Sequence, residues 1–247
     1  MSELEARRAL AAITEARLEF GARGRAMATR DIQTFALDHA RARAAVMSAL
    51  DLEAVGGALR AAGLETVACV SAAGSRDVYI KRPDLGRMLP DAAAEALSAG
   101  PYDVSLVLGD GLSATASNQS GAAFFARLAA AVAEAGLSTS RVVLAEQARV
   151  ALGDKIALAQ RAEIVVMALG ERPGLSAADS LGVYVTFDPS AATADSARNC
   201  ISNIRPGGLG VEDAVAQVMQ MIADMRRHRL SGVALGQRLN SAGVIEG

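Results

Sequence analysis

The sequence has no tryptophan, two cysteines, two histidines and few aromatic rings, and each scarcity removes a class of function. Cys69 and Cys200 are far apart, which argues against a disulfide scaffold. With His39 and His228 they form no cluster at the spacing of a zinc site. Chemistry that needs several histidines, or a Ser-His-Asp arrangement, cannot be assembled from this inventory without inventing proximity. Each histidine falls on a predicted helix, where a surface or helix-end role suits it better than catalysis. No apolar run approaches the ~18 residues of a membrane-spanning helix. The opening MSELEARRAL is charged and lacks the apolar stretch of a secretory signal, so the expected location is the cytosol. A net charge of −2 gives no global attraction to nucleic acid or to an anionic membrane.

Apolar residues are plentiful: 51% of the chain is hydrophobic while aromatics supply 3%, so Ala, Leu and Val must build the core. That composition suits helices packed on a parallel sheet. The 247 residues fit a single α/β domain, and there are no internal repeats, low-complexity tracts or long linkers.

Residues 1–63 read as a helical segment and 64–247 as the α/β domain. Ile32, Phe35, Ala36 and Ala40 follow the three-to-four spacing of a helix face. Asp51 can cap a second helix, with Gly63 as its stop. Arg23, Arg25 and Arg30 lie in or beside the link Gly21–Gly24, as a solvated basic turn or as a contact to a partner or anion. TVACV (66–70) and DVYIK (77–81) read as a strand pair joined by SAAGSR. Arg82-Pro83-Asp84 starts a helix, with a salt bridge among Arg82, Asp84 and Arg87. DVSLVL (103–108) is a strand of buried type, followed by a long Ala-rich helix to about Ala135. RVVLAE (141–146) is a strand, 154–161 a helix, EIVVMAL (163–169) a strand and GVYVTF (182–187) the last strand. The chain is helical from Val211. Strand, glycine turn, helix, strand predicts a largely parallel sheet with right-handed crossovers. Ligands of such sheets bind beyond the carboxyl ends of the strands.

Two glycine clusters sit at such ends. Gly109-Asp110-Gly111-Leu112-Ser113 allows close backbone approach of a ligand at a helix start, or Asp110 and Ser113 simply cap that helix. It is neither GxGxxG nor a P-loop. In Gly170-Glu171-Arg172-Pro173-Gly174 a carboxylate leaves a strand ahead of a rigid turn. Either it faces solvent, or it accepts a hydrogen bond from a ligand amide or hydroxyl. In the turn Cys200-Ile201-Ser202-Asn203-Ile204, Cys200 reads as a packing contact, because no nearby histidine lowers its pKa. Asn203 offers both donor and acceptor.

Four of these segments, in order, resemble the small (light) subunit of ethanolamine ammonia-lyase: Arg82-Pro83-Asp84-Leu85-Gly86-Arg87, Asp110-Gly111-Leu112-Ser113, Gly170-Glu171-Arg172-Pro173-Gly174-Leu175 and Cys200-Ile201-Ser202-Asn203-Ile204. The resemblance spans about residues 14 to 240. It implies a Rossmann-like α/β domain that clasps adenosylcobalamin (coenzyme B12) against a large subunit. That larger chain, a (β/α)8 barrel, would bind ethanolamine and carry out its radical conversion to acetaldehyde and ammonia. By motif, Glu171, Cys200 and Val150 (in ARVALGD) become the cofactor-binding residues, with no catalytic or metal-ligating residue in this chain. The absence of Asp-x-His-x-x-Gly fits a cofactor that keeps its own lower base. Family members packaged in bacterial microcompartments often carry a longer N-terminal extension. The short charged lead here leaves the cytosol and a microcompartment both open. Two other classes are weighed against this one. A stand-alone nucleotide-dependent enzyme lacks a dinucleotide fingerprint and an acid–base pair, and a purely structural partner leaves the GERPGL and CISNI turns unexplained.

Overall fold

A computed structural model describes residues 3–13, 29–174 and 178–243. The Gly21–Gly24 link with Arg23 and Arg25, and Leu175 of the second glycine turn, lie outside the described residues. Three helices come first: α1 (Glu3–Ala11), α2 (Thr29–Met47) and α3 (Leu52–Ala61). Asp51 caps α3 as expected, its carboxylate accepting from the Ala54 N–H at 2.9 Å, and Gly63 follows the helix at φ +82°. The periodic face of α2 is not a core face, for Ile32 and Phe35 are exposed and Ala45 is the one buried residue described on that helix. Val55 and Leu59 of α3, by contrast, join the main core.

Six strands form one sheet in the order β1-β3-β2-β4-β5-β6. They are β1 (Thr66–Val70), β2 (Tyr102–Gly109), β3 (Thr139–Glu146), β4 (Ala162–Gly170), β5 (Leu181–Phe187) and β6 (Asn199–Ile204). β1 to β4 run parallel, but β5 pairs antiparallel with β4 and β6 antiparallel with β5. The sheet is therefore mixed, and the expected largely parallel, Rossmann-like sheet is corrected at this edge. The cause is connection length. A parallel return needs a crossover of roughly a dozen residues or more, usually a helix, and only residues 171–180 separate β4 from β5.

Three further expectations change. DVYIK is not a strand but lies in α4 (Arg76–Lys81). Five residues of alternating polarity also fit one and a half helical turns. The helix places Arg76 and Tyr79, three apart, on one inward face, with Val78 and Ile80 outward. Arg82-Pro83-Asp84 starts only a 3-10 turn (Leu85–Arg87), ahead of α5 (Asp91–Leu97), although the Arg82–Asp84 ion pair forms at 2.6 Å. CISNI, read as a turn, is most of β6, its polar positions reflecting an edge strand with one face uncovered.

After β2 a short α6 (Ala114–Ala116) runs through a π turn (Ser117–Gly121) into α7 (Ala122–Glu134). α8 (Val150–Ala159) links β3 to β4, and α9 (Val211–His228) and α10 (Gly232–Gly243) close the chain. Side chains alternate across the sheet. On one face Val166, Ala168, Val183, Val185 and Ile201 meet α3, α7 and α9, the last through Ala214, Val218, Ile222 and Met225. On the other, Val165, Met167 and Leu169 meet Leu152 and Ile156 of α8 and Leu97 of α5. Every residue of β2 from Val104 to Gly109 is buried, as a strand covered on both faces requires. α8 stops short of the antiparallel edge, so Tyr184 is only half-buried and Cys200 is exposed.

Candidate functional site

The carboxyl ends of β2, β3 and β4 and the uncovered face of β5 and β6 enclose an open cavity of about 690 Å³. Val150, Glu171 and Cys200 all line it. The structure thus brings together three residues that the sequence placed in three separate segments.

The glycine turns build this cavity in a way other than expected. Gly111 has φ +59°, and a Cβ there would lie 2.1 Å from the Gly170 carbonyl oxygen. A Cβ on Gly170 would in turn lie 1.8 Å from the Ser113 carbonyl oxygen. The Leu112 N–H donates to the Gly170 carbonyl at 2.9 Å. These glycines let two loop backbones touch each other, and Gly170 and Leu112 of the same turns also line the cavity. Asp110 and Ser113 do not cap the helix. The Ser113 hydroxyl donates to the Ala178 carbonyl at 2.6 Å. Asp110 is 1% exposed, and its carboxylate accepts from the Gln147 and Ala148 N–H groups, each at 2.8 Å, with the Arg76 guanidinium at 3.4 Å. It ties the end of β2 to the loop that leads from β3 into α8.

That loop carries Val150, which is the first residue of α8 rather than a residue before it, because the helix starts four residues earlier than its sequence pattern indicated. The loop is held from a second side. The buried Tyr79 hydroxyl donates to the Ala148 carbonyl at 3.1 Å, and the Arg149 N–H donates to the Gly86 carbonyl at 2.9 Å. Two guanidinium groups pack against the Tyr79 ring, Arg76 at 4.6 Å and Arg149 at 4.3 Å from its centroid. Burial pushes the Tyr79 phenol up to about 12, so it remains a hydrogen-bond donor at neutral pH.

Glu171 folds back over β5. Its Oε2 accepts from the Ser180 hydroxyl at 2.6 Å, and its own N–H donates to the Ser180 carbonyl at 2.9 Å. A Cβ on Gly182 would sit 2.9 Å from the Glu171 Cγ and Oε1, so the missing side chain at 182 is what admits the carboxylate. Two residues further along the same face stands Tyr184, directly opposite Cys200 on β6. The Tyr184 phenol and the Cys200 thiol interact electrostatically across this pair. Partial burial of the thiol pushes its pKa up; the Tyr184 hydroxyl pulls it down, and nearby Glu171 raises it further. Cys200 is therefore a neutral thiol at physiological pH, suited to contact rather than to nucleophilic attack. Asn203, at φ +62°, turns the end of β6 and accepts from the Arg205 Nε at 2.7 Å, outside the cavity lining.

Below Cys200, Arg198 makes a buried ion pair with Asp154 of α8 at 2.5 Å, and a second with exposed Asp195. Asp195 also faces Arg87 across 3.8 Å. The residues that composition and motif left out, Tyr79, Arg149, Tyr184 and Arg198, are thus all part of the cavity wall. A signal for two of them was present. In GVYVTF the residues 182, 184 and 186 alternate with Val183 and Val185, which marks Tyr184 as facing away from the core, and Arg149 directly precedes Val150.

The family model for "Ethanolamine ammonia-lyase light chain (EutC)" matches residues 4–236. Curated relatives carry the name ethanolamine ammonia-lyase small subunit. One from Rhodopseudomonas palustris is 42% identical over 231 residues, covering 92% of this chain and 88% of the relative. Another from Xanthomonas campestris pv. campestris is 41% identical over 232 residues, covering 92% and 85%. A third from Bradyrhizobium diazoefficiens is 41% identical over 230 residues, covering 92% and 88%. With a match of this length and identity across the segments that form the cavity, the chain belongs to the ethanolamine ammonia-lyase light-chain family.

Proposed function

We propose that this chain is the cofactor-holding small subunit of an adenosylcobalamin-dependent ethanolamine ammonia-lyase, active only with its large subunit. The observation that carries this reading is the convergence of Val150, Glu171 and Cys200 on one cavity. The lining suits a corrinoid edge. Val150, Ala151, Leu112 and Leu169 offer apolar contact, and Glu171 has an oxygen, Oε1, available to accept from a ring amide. Drug-sized ligands fill pockets of roughly 300–1,000 Å³. A corrinoid is larger than such ligands, so this wall would hold one edge of it and a second chain would cover the rest. Adenosylcobalamin would supply radical chemistry when bound. This chain's residues orient it: Val150 and Cys200 by contact, Glu171 by accepting a hydrogen bond, and Asp110 and Tyr79 by keeping the 147–149 loop rigid.

In this reading residues 64–247 are the cobalamin-binding unit and 1–63 its helical lead. Ethanolamine binds mainly to the large subunit, and nucleic acid and membrane are not partners. No helix among the described residues is long and apolar enough to cross a membrane. The proposed location is the cytosol or a bacterial microcompartment.

Reconstitution tests the proposal. The chain is assayed with and without a large subunit, with adenosylcobalamin and ethanolamine, for acetaldehyde and ammonia. Activity only when both chains are present is expected. Glu171→Ala should raise the cobalamin requirement about ten- to a hundredfold, as the loss of a hydrogen bond to a charged group does. Turnover by this chain alone would overturn the reading, and an unchanged cofactor affinity in Glu171→Ala would remove Glu171 from the site.

A further inference from the structure

The cationic groups around the cavity are not equivalent. Arg198 already faces two carboxylates, Asp154 and Asp195, and Arg87 faces Asp195. Arg149 has no carboxylate within ion-pair distance among the described residues, and its Nε is buried without an acceptor. The Nε of Arg198, on a side chain only 4% exposed, is buried without an acceptor as well. A buried unpaired N–H costs about 1–3 kcal/mol, more for a charged group, and native proteins leave few. Arg76 Nη2 and Gln147 Oε1 are buried without a partner as well, but of these four residues only Arg149 and Arg198 line the cavity.

Arg149 is also immobilised before any ligand arrives. Its guanidinium stacks on the Tyr79 ring, its N–H is bonded to Gly86, and the two preceding N–H groups are bonded to Asp110. It occupies the N-cap position of α8, a helix of ten residues that no side chain caps, with Val150 and Ala151 of the first turn in the same cavity wall. Unpaired N–H groups at a helix start and a planar guanidinium beside them together match a tetrahedral oxyanion. Glu171, on the other side of the cavity, is set to accept and would repel an anion at its own position. Arg172, next to Glu171, also lines the cavity but is exposed, whereas Arg149 is held in place by the loop around it.

We infer that Arg149, at the start of α8 and in the same cavity wall as Arg198, forms an oxyanion subsite for a phosphodiester. Resting on the cobalamin reading above, the ligand is the phosphodiester of the cofactor's nucleotide loop, which is the ionised group on the periphery of that molecule. The corrin amides then meet Glu171, and the nucleotide loop lies along the first turn of α8. Inorganic phosphate has the same chemistry, and the test separates the two.

The experiment measures equilibrium binding in the reconstituted complex with the large subunit, by dialysis and corrinoid absorbance. Adenosylcobalamin is compared with adenosylcobinamide, which lacks the phosphate and the lower base. Arg149→Ala should weaken adenosylcobalamin binding about ten- to a hundredfold and leave adenosylcobinamide unchanged. Arg149→Lys should recover part of the loss. Arg149→Gln, which keeps most of the stem over Tyr79, should behave like the alanine variant and guards against a folding defect. Inorganic phosphate should compete with adenosylcobalamin in the wild type and not in Arg149→Ala. Equal losses for both corrinoids, or none for either, would overturn the inference, as would inorganic phosphate that remains bound at Arg149 alongside adenosylcobalamin. A wild-type complex that binds neither corrinoid would overturn the cofactor reading along with it. A variant that binds adenosylcobalamin as the wild type does would remove only the subsite.

Discussion

Replacing Asp110 tests the claim that its carboxylate holds the loop that leads from β3 into α8. The side chain is 1% exposed and accepts two backbone N–H groups at 2.8 Å, from Gln147 and Ala148. Asp110→Ala would leave both donors buried and unpaired, at about 1–3 kcal/mol each, together with a partly buried Arg76 that loses its carboxylate. Asp110→Asn keeps one acceptor oxygen, so one donor is orphaned and faces an amide NH2. Burial pushes the Asp110 carboxyl up in spite of the Ala148, Gln147 and Arg76 contacts. Removing its charge therefore returns part of the desolvation cost and offsets some of the loss. The expected destabilisation is about 2 kcal/mol for asparagine and about 4 kcal/mol for alanine. Urea unfolding of the full chain, compared at a common slope, reads these values. Amide exchange at Gln147 and Ala148 should accelerate in both variants, ahead of exchange in the β2 core. Equal losses for Asn and Ala, or losses below about 0.5 kcal/mol, would show that the two backbone donors do not depend on this carboxylate.

Two further perturbations follow from buried charge and buried thiol. Asp154→Asn should cost about 3–5 kcal/mol in thermal or urea unfolding, because Arg198 is left with a buried charge lacking its inner partner. Replacing both partners with apolar residues of similar volume should recover much of that loss, and a double variant as unstable as the single one would contradict the account. Burial, and then the neighbouring Glu146 carboxylate, push the Cys69 thiol from 9.0 up to about 12. Its folded value lies above its unfolded one, so its contribution is fully present below pH 9.0 and is lost as pH rises towards 12. The ceiling is about 4 kcal/mol at 1.36 kcal/mol per unit. Cys69→Ala should lower the slope of stability against pH between about 9 and 10, where the raised Cys200 thiol supplies the remainder, and an unchanged slope there would refute the assignment.

Much of the fold was legible because buried strands declare themselves. DVSLVL, RVVLAE, EIVVMAL and GVYVTF are runs that no solvent-facing element would carry, and all four are strands. DVYIK failed because five residues do not separate a strand period from a helical turn. Its helical state depends on Arg76 reaching the Gly111 carbonyl and Tyr79 reaching Ala148, both distant in sequence. β6 was missed because an edge strand with one uncovered face carries polar residues such as Asn199, Ser202 and Asn203 and lacks an apolar signature.

Local pattern by itself determined that the chain is α/β, where most of its strands lie, and that GERPGL and CISNI are unusual for a protein with few chemically reactive groups. Only the tertiary structure decided strand direction at the β5–β6 edge, which turns on a connection too short to cross over. Only it showed that Gly111 and Gly170 serve backbone contact between two loops. It also brought Val150, Glu171 and Cys200 to one cavity and added Arg149 to them. Hydrophobic periodicity is a one-dimensional record of burial, whereas a binding site is set by which strand ends become neighbours and by which buried donors are left without an acceptor.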